Sequence, residues 1–206
     1  MPETIYLALL LVPILLVSMS IHEMLHAFAA DKLGDSTARV MGRVSLNPLR
    51  HIDPVFTVAM PLFLLVAGSP VLFGAAKPVQ VNFSRVRYGE YGGAIIGMVG
   101  PLSNLLIAVL AALAFNFFAP VGGLAFDILR LTILLNVGLF VFNSIPWPPL
   151  DGSRLLYAFA PRPLQEFMDA IERMGLLGLA IFILLFYQFI GPVILSVVQL
   201  LTSTLV

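Results

Sequence analysis

The stretch "IYLALLLVPILLVSMSIHEMLHAFAA", residues 5–30, decides the fold. Up to Ile21 it is almost wholly apolar and long enough to cross a hydrocarbon core, which takes about 20 residues. It then carries His22, Glu23 and His26, side chains that bind protons and metals and are costly to keep at membrane depth. The start, "MPET", has no basic n-region and no small-residue cleavage motif follows, so the run is expected to be a retained span and not a signal peptide.

Composition agrees. Of 206 residues 60% are hydrophobic and 11% charged, with a formal net charge of zero and a mean hydropathy of +1.02. A water-soluble domain of this length could not hide so much apolar side chain, so the chain reads as a polytopic membrane protein. No run of Lys or Arg interleaved with aromatics gives a nucleic acid a footprint. Cysteine is absent, which removes disulfides, thiolate catalysis and Cys-based metal sites. A bound metal must use His, Asp or Glu.

Working outward, span-length apolar runs recur at about 91–118, 124–146 and 175–203. With the first run they make four firm transmembrane helices in an all-α fold. A weaker segment, 54–76, is broken by Pro61 and by Gly68-Ser69-Pro70. Basic residues flank it on both sides: Lys32, Arg39, Arg43 and Arg50 before it, Lys77, Arg85 and Arg87 after it. If basic loops face the cytoplasm, this segment enters and leaves on one side, a re-entrant hairpin; an ordinary crossing is the alternative. Arg154, Arg162 and Arg173 mark a further cytoplasmic loop, and the 119–123 turn carries no basic residue. Short alternations, Val44/Leu46 and Val79/Val81/Phe83, predict small β-hairpins at the membrane surface. "RPLQEFMDAIERM" predicts an interfacial helix with Leu164, Phe167, Met168 and Ile171 on one side. One membrane-embedded domain, 1–206, accounts for the chain.

On a helix His22 and His26 share a face and can offer imidazole nitrogens to one ion, with Glu23 beside them; this is the H-E-x-x-H arrangement. A catalytic zinc usually takes three protein ligands. Candidates for the third are His51, Asp53, Asp127 and Asp151, besides Glu90, Glu166 and Glu172. If 54–76 makes no net crossing, the span at 91–118 leads out and that at 124–146 returns. "NSIPWPPLDG" then delivers Asp151 to the side of the histidines, whereas Asp127 starts the returning span on the opposite side. His51 and Asp53 lie on the right side too and stay as rivals. For His51 a surface or hydrogen-bonding role competes; for Asp53 an N-cap before Pro54 does. In "GMVGPLSNLLIA" Gly97, Gly100 and Pro101 favour close helix contact, and Asn104 needs a partner. Asn116 reads as structural.

Three elements together resemble the site-2 protease family of intramembrane zinc metalloproteases: His22-Glu23-x-x-His26, Gly100-Pro101-x-x-Asn104 and Asn143-x-x-Pro146-x-Pro148-x-x-Asp151-Gly152. "FGAAKPVQVN" resembles a loop of the compact bacterial-type branch that lacks PDZ and CBS domains. The resemblance implies one Zn²⁺ per chain, His22, His26 and Asp151 as ligands, Glu23 as catalytic base, and Asn104 and Asn143 near the substrate or oxyanion. It also implies a transmembrane protein as substrate. The expected location is a prokaryotic inner membrane, with the active site toward the cytoplasm. A metal transporter using the same cluster is the main rival, but the outer half of the first span offers almost no polar path. A noncatalytic metal-binding scaffold would not need Glu23. A zincin with a glutamate as third ligand would place Glu90, Glu166 or Glu172 on a helical partner motif, and none of them carries the expected one.

Overall fold

A computed structural model describes residues 3–51, 53, 59, 62, 63, 66, 77–118 and 122–205, excluding the side chains of 3, 4, 176 and 185–188. Seven α-helices are delimited among the described residues: α1 (Glu3–Lys32), α2 (Thr37–Val40), α3 (Gly89–Phe118), α4 (Gly123–Asn143), α5 (Gly152–Phe159), α6 (Arg162–Arg173) and α7 (Leu176–Leu205). Short 3-10 turns stand at Pro48–Arg50 and Phe83–Arg85.

Among the described residues three helices are long and apolar enough to cross a membrane: Ile5–Lys32, Gly89–Phe118 and Gly123–Asn143. In α7 the pieces Leu177–Leu184 and Phe189–Leu205 meet at 90° and make a fourth span only if counted together. The expected four firm spans are therefore corrected to three and a bent pair. Hydropathy measures the length of an apolar run and is blind to a change of direction inside it. The segment 54–76, expected to be re-entrant, lies almost wholly outside the described residues.

Ser18, His22, Glu23 and His26 of α1, Ser103 and Asn104 of α3 and Asn136 of α4 face inward. On α1 the buried stripe is Leu15, Ser18, Met19, His22, Glu23, His26 and Ala30, spaced by three and four, while Leu9, Val17 and Phe28 are exposed. On α3 the buried stripe is small: Gly93, Gly97, Gly100, Asn104, Ala108 and Ala111, with Ile95, Leu102, Leu106 and Leu110 on the outside. Where lipid is the solvent, burying Leu gains little over leaving it in lipid. Close backbone approach and interhelical hydrogen bonds supply the association instead. The stripe of α3 lets it pack against α1, α4 and α5. Ala108, Ala111 and Ala112 meet Ile133 and Val137 of α4, and Val198, Leu201 and Leu205 of α7 pack over them.

The predicted β-hairpins are absent among the described residues. Residues 77–82 form neither helix nor strand, and their backbone N–H groups do not pair with a neighbouring strand. Lys77 N–H donates to the His51 carbonyl at 2.9 Å, Val79 N–H to Glu23 Oε2 at 3.0 Å and Asn82 N–H to Asp35 Oδ2 at 2.7 Å. Around 42–47 the bonds are local, Arg43 N–H to the Ala38 carbonyl and Ser45 N–H to the Arg43 carbonyl. Alternation reports an extended backbone, and a ladder also needs a partner edge. The amphipathic helix forms as α6, with Met168 and Ile171 buried; Phe167, expected on their side, is exposed.

Candidate metal centre

His22 and His26 project one turn apart from the inner stripe of α1, and α3 and α5 complete the site around them. His22 Nε2 and His26 Nε2 are 3.0 Å apart; Asp151 Oδ2 lies 3.0 Å from the first and 3.4 Å from the second. Among the described residues this is the one group of three or more His, Asp or Glu able to share an ion. Two imidazoles and a carboxylate suit zinc. A tetrahedral zinc with ligands about 2.0–2.1 Å away has ligand–ligand edges of about 3.3 Å, so the three observed edges outline one face of such a site.

The outer ring nitrogens are both engaged. His26 Nδ1 donates to the Ile96 carbonyl at 2.7 Å, and His22 Nδ1 lies 2.6 Å from Asn104 Oδ1. Outer partners of this kind turn Nε2 toward a metal. Asp151 stands at the N-cap of α5, where an Asp ordinarily accepts a backbone N–H; here it makes no such bond and its carboxylate turns to the imidazoles. Burial pushes its carboxyl up, and the His26 and His22 rings more than offset this, holding it below the usual carboxylate range.

Two glycines permit the approach. A Cβ on Gly100 would stand 2.2 Å from His26 Nε2 and 2.6 Å from His22 Nε2, inside the cradle itself. A Cβ on Gly97 would lie 2.8 Å from the Asp151 carbonyl and 2.7 Å from Arg154 Cβ, forcing α5 and its Asp151 away.

Beside the cluster is a cavity of about 300 Å³, walled by Glu23, His26, Val79, Gly97, Asp151 and Arg154 among others. Glu23 is buried there and accepts from Val79 N–H. Arg154 pairs with Glu172 and its guanidinium lies 4.1 Å from the Phe83 ring centroid. The other predicted residues fall elsewhere. Asn143 donates to the Leu139 carbonyl within its own helix. His51 is buried with Nε2 2.7 Å from the Ser45 carbonyl, outside the cluster. Asp127 accepts from Tyr6 at 2.5 Å, sixteen residues and roughly 24 Å along α1 from His22. Arg154 and Asn136, which receives Asn104 Nδ2 at 2.9 Å, were not anticipated. An asparagine within the apolar "LTILLNVGLF" was the signal available for the second.

Comparison with known proteins finds relatives named as zinc metalloproteases. The chain is 34% identical over 193 residues to a Bacillus subtilis protein named "Putative zinc metalloprotease YwhC", covering 90% of this chain and 83% of that one. Proteins of Mycolicibacterium smegmatis and Mycobacterium tuberculosis named "Putative zinc metalloprotease Rip2" are each 28% identical, over 79% and 82% of this chain and 61% and 64% of theirs. No family model and no solved structure matches. The chain belongs to the site-2 protease family and is a zinc metalloprotease of the membrane.

Proposed function

We propose that the chain, as a single membrane-embedded domain, hydrolyses peptide bonds within or at the edge of transmembrane segments. His22, His26 and Asp151 would hold the zinc and Glu23 would act as general base. The observation that carries this is the meeting of two Nε2 atoms and one Oδ2 within 3.4 Å, beside a cavity that Glu23 helps to wall. Zinc held there supplies Lewis acidity to a carbonyl and lowers the pKa of a water.

Glu23 takes the proton of the water that adds to the scissile carbonyl carbon, and returns it to the amide nitrogen as the C–N bond breaks. Val79 N–H on Oε2 fixes the direction in which the carboxylate faces. Asn104 has its amide oxygen at His22 and its NH₂ at Asn136, which supports a positioning role in place of direct contact with substrate. Asn143 spends an amide hydrogen on the Leu139 carbonyl within its own helix and is not among the residues that wall the cavity, so it is given no part in this step. A helical substrate must unwind to expose its carbonyl. Basic loops at 32–50, 77–87 and 154–173 support a cytoplasmic site in a prokaryotic inner membrane.

The test is a zinc assay joined to cleavage of single-span peptides in detergent or liposomes. Wild type should hold about one zinc per chain. Glu23→Gln should keep the metal and lose cleavage by several orders of magnitude. Cleavage at the wild-type rate by Glu23→Gln would remove the mechanism.

A further inference from the structure

Asn136 sits in the middle of α4, fully buried, and makes three hydrogen bonds. Its Nδ2 reaches the Thr132 carbonyl and Ser18 Oγ, each at 2.9 Å, and its Oδ1 receives Asn104 Nδ2 at 2.9 Å. A backbone carbonyl only accepts. The atom of Asn136 facing Thr132 must therefore be the NH₂, and its oxygen must face Asn104. Asn104 then answers with its own NH₂ and turns Oδ1 to His22, 2.6 Å from Nδ1. An amide oxygen also only accepts, so His22 must carry its hydrogen on Nδ1, leaving the lone pair on Nε2 toward Asp151 and His26.

We propose that Asn136 is a positioning residue for the metal centre. Through Asn104 it fixes the tautomer and ring orientation of His22, with the Thr132 carbonyl setting the direction of the whole chain. The inference rests on reading His22 as a zinc ligand. His26 has the same service directly from the Ile96 carbonyl. His22 has no backbone carbonyl in that place, and water that could solvate either tautomer is kept out by Asn104, Asn136 and Ser18, all buried. A packing role alone would tie helices together without requiring a direction in the chain.

Zinc affinity is read by competition with a chromogenic chelator on purified protein in micelles. Asn136→Leu should lower it about 10- to 100-fold, the range for loss of an outer partner of a liganding histidine. Asn116→Leu removes an asparagine that bonds the Leu205 carbonyl and should keep wild-type affinity. The double variant Asn104→Ala/Asn136→Leu should bind no more weakly than Asn104→Ala alone, because both losses pass through one bond to His22.

Wild-type affinity in Asn136→Leu, or losses that add in the double variant, overturns the inference. If His22→Ala itself keeps wild-type affinity, the ligand reading falls and takes the inference with it. Loss of zinc in His22→Ala but not in Asn136→Leu overturns the inference alone. A measurement needing no core variant stands beside these: ¹⁵N-histidine spectra of the zinc-loaded wild type, assigned by His22→Ala, should show His22 protonated on Nδ1. Protonation on Nε2 overturns the proposal whether or not Asn136→Leu folds.

Discussion

Asp151 gives up the N-cap bond open to it and spends its carboxylate on two imidazoles, whereas His51 is bonded to the Ser45 carbonyl outside the cluster. Asp151→Asn, which keeps the shape and removes the charge, should weaken zinc binding roughly hundredfold, and His51→Ala should leave it within about twofold while lowering the melting temperature. Chelator competition on the two variants decides; the reverse order would move the third ligand to His51. Gly100 gives a test with opposing signs. Alanine is favoured over glycine in a helix by about 1 kcal/mol, yet a Cβ here enters the space between the two Nε2 atoms. Gly100→Ala should cost at least about tenfold in zinc affinity. Metal content near wild type would show that the cradle has room to spare.

At the scale of elements, the segment 77–82 forms one wall of the cavity and is tied down at three points, one of them Asp35. Asp35 is fully buried and accepts from Asn82 N–H and from Thr37, binding the end of α1 to this wall. Burial pushes its carboxyl up, but the hydrogen bonds from Thr37 and Asn82 and the charge of Arg85 outweigh it and bring the pKa below the ordinary 3.8. A carboxylate whose pKa falls on folding contributes stability that is complete above the unfolded value and is lost as the pH drops through the folded one. Thermal unfolding should therefore show a loss below about pH 4 that Asp35→Asn reduces. The same variant should cost about 1–3 kcal/mol at neutral pH by weakening a buried acceptor. An unchanged acid limb in Asp35→Asn would assign that loss to other carboxylates. The partners of the N–H groups of 77–82 were not legible in its alternation, because they come from residues 26 to 56 positions away.

For the molecule as a whole, zinc held by His22, His26 and Asp151 would join α1 to the start of α5, so its removal should loosen the packing of both against α3. Stripping with a chelator should lower the melting temperature, and restoring zinc to about 100 times its dissociation constant should return about 2.7 kcal/mol. A melting temperature indifferent to zinc would mean that the metal is not held by the folded core. Orientation is tested separately. The chain has no cysteine, so single replacements report cleanly: Leu124→Cys should react with an impermeant maleimide from outside intact cells, and Arg162→Cys only after permeabilisation. The opposite pattern would invert the proposed topology.

By itself the sequence determined that the chain belongs in a membrane, where its long helices run, and that His22 and His26 share a face with Glu23 beside them. Length, apolarity and a spacing of four are local properties, written along one helix. The order of the spans could bring Asp151 to their side but left His51 as a rival; tertiary structure alone separated the two, bent α7, and brought Asn104 to His22 with Asn136 behind it. Each of these depends on which faces of distant helices meet, and in lipid that choice is made by small-residue contacts and buried hydrogen bonds that leave no periodic hydrophobic signal.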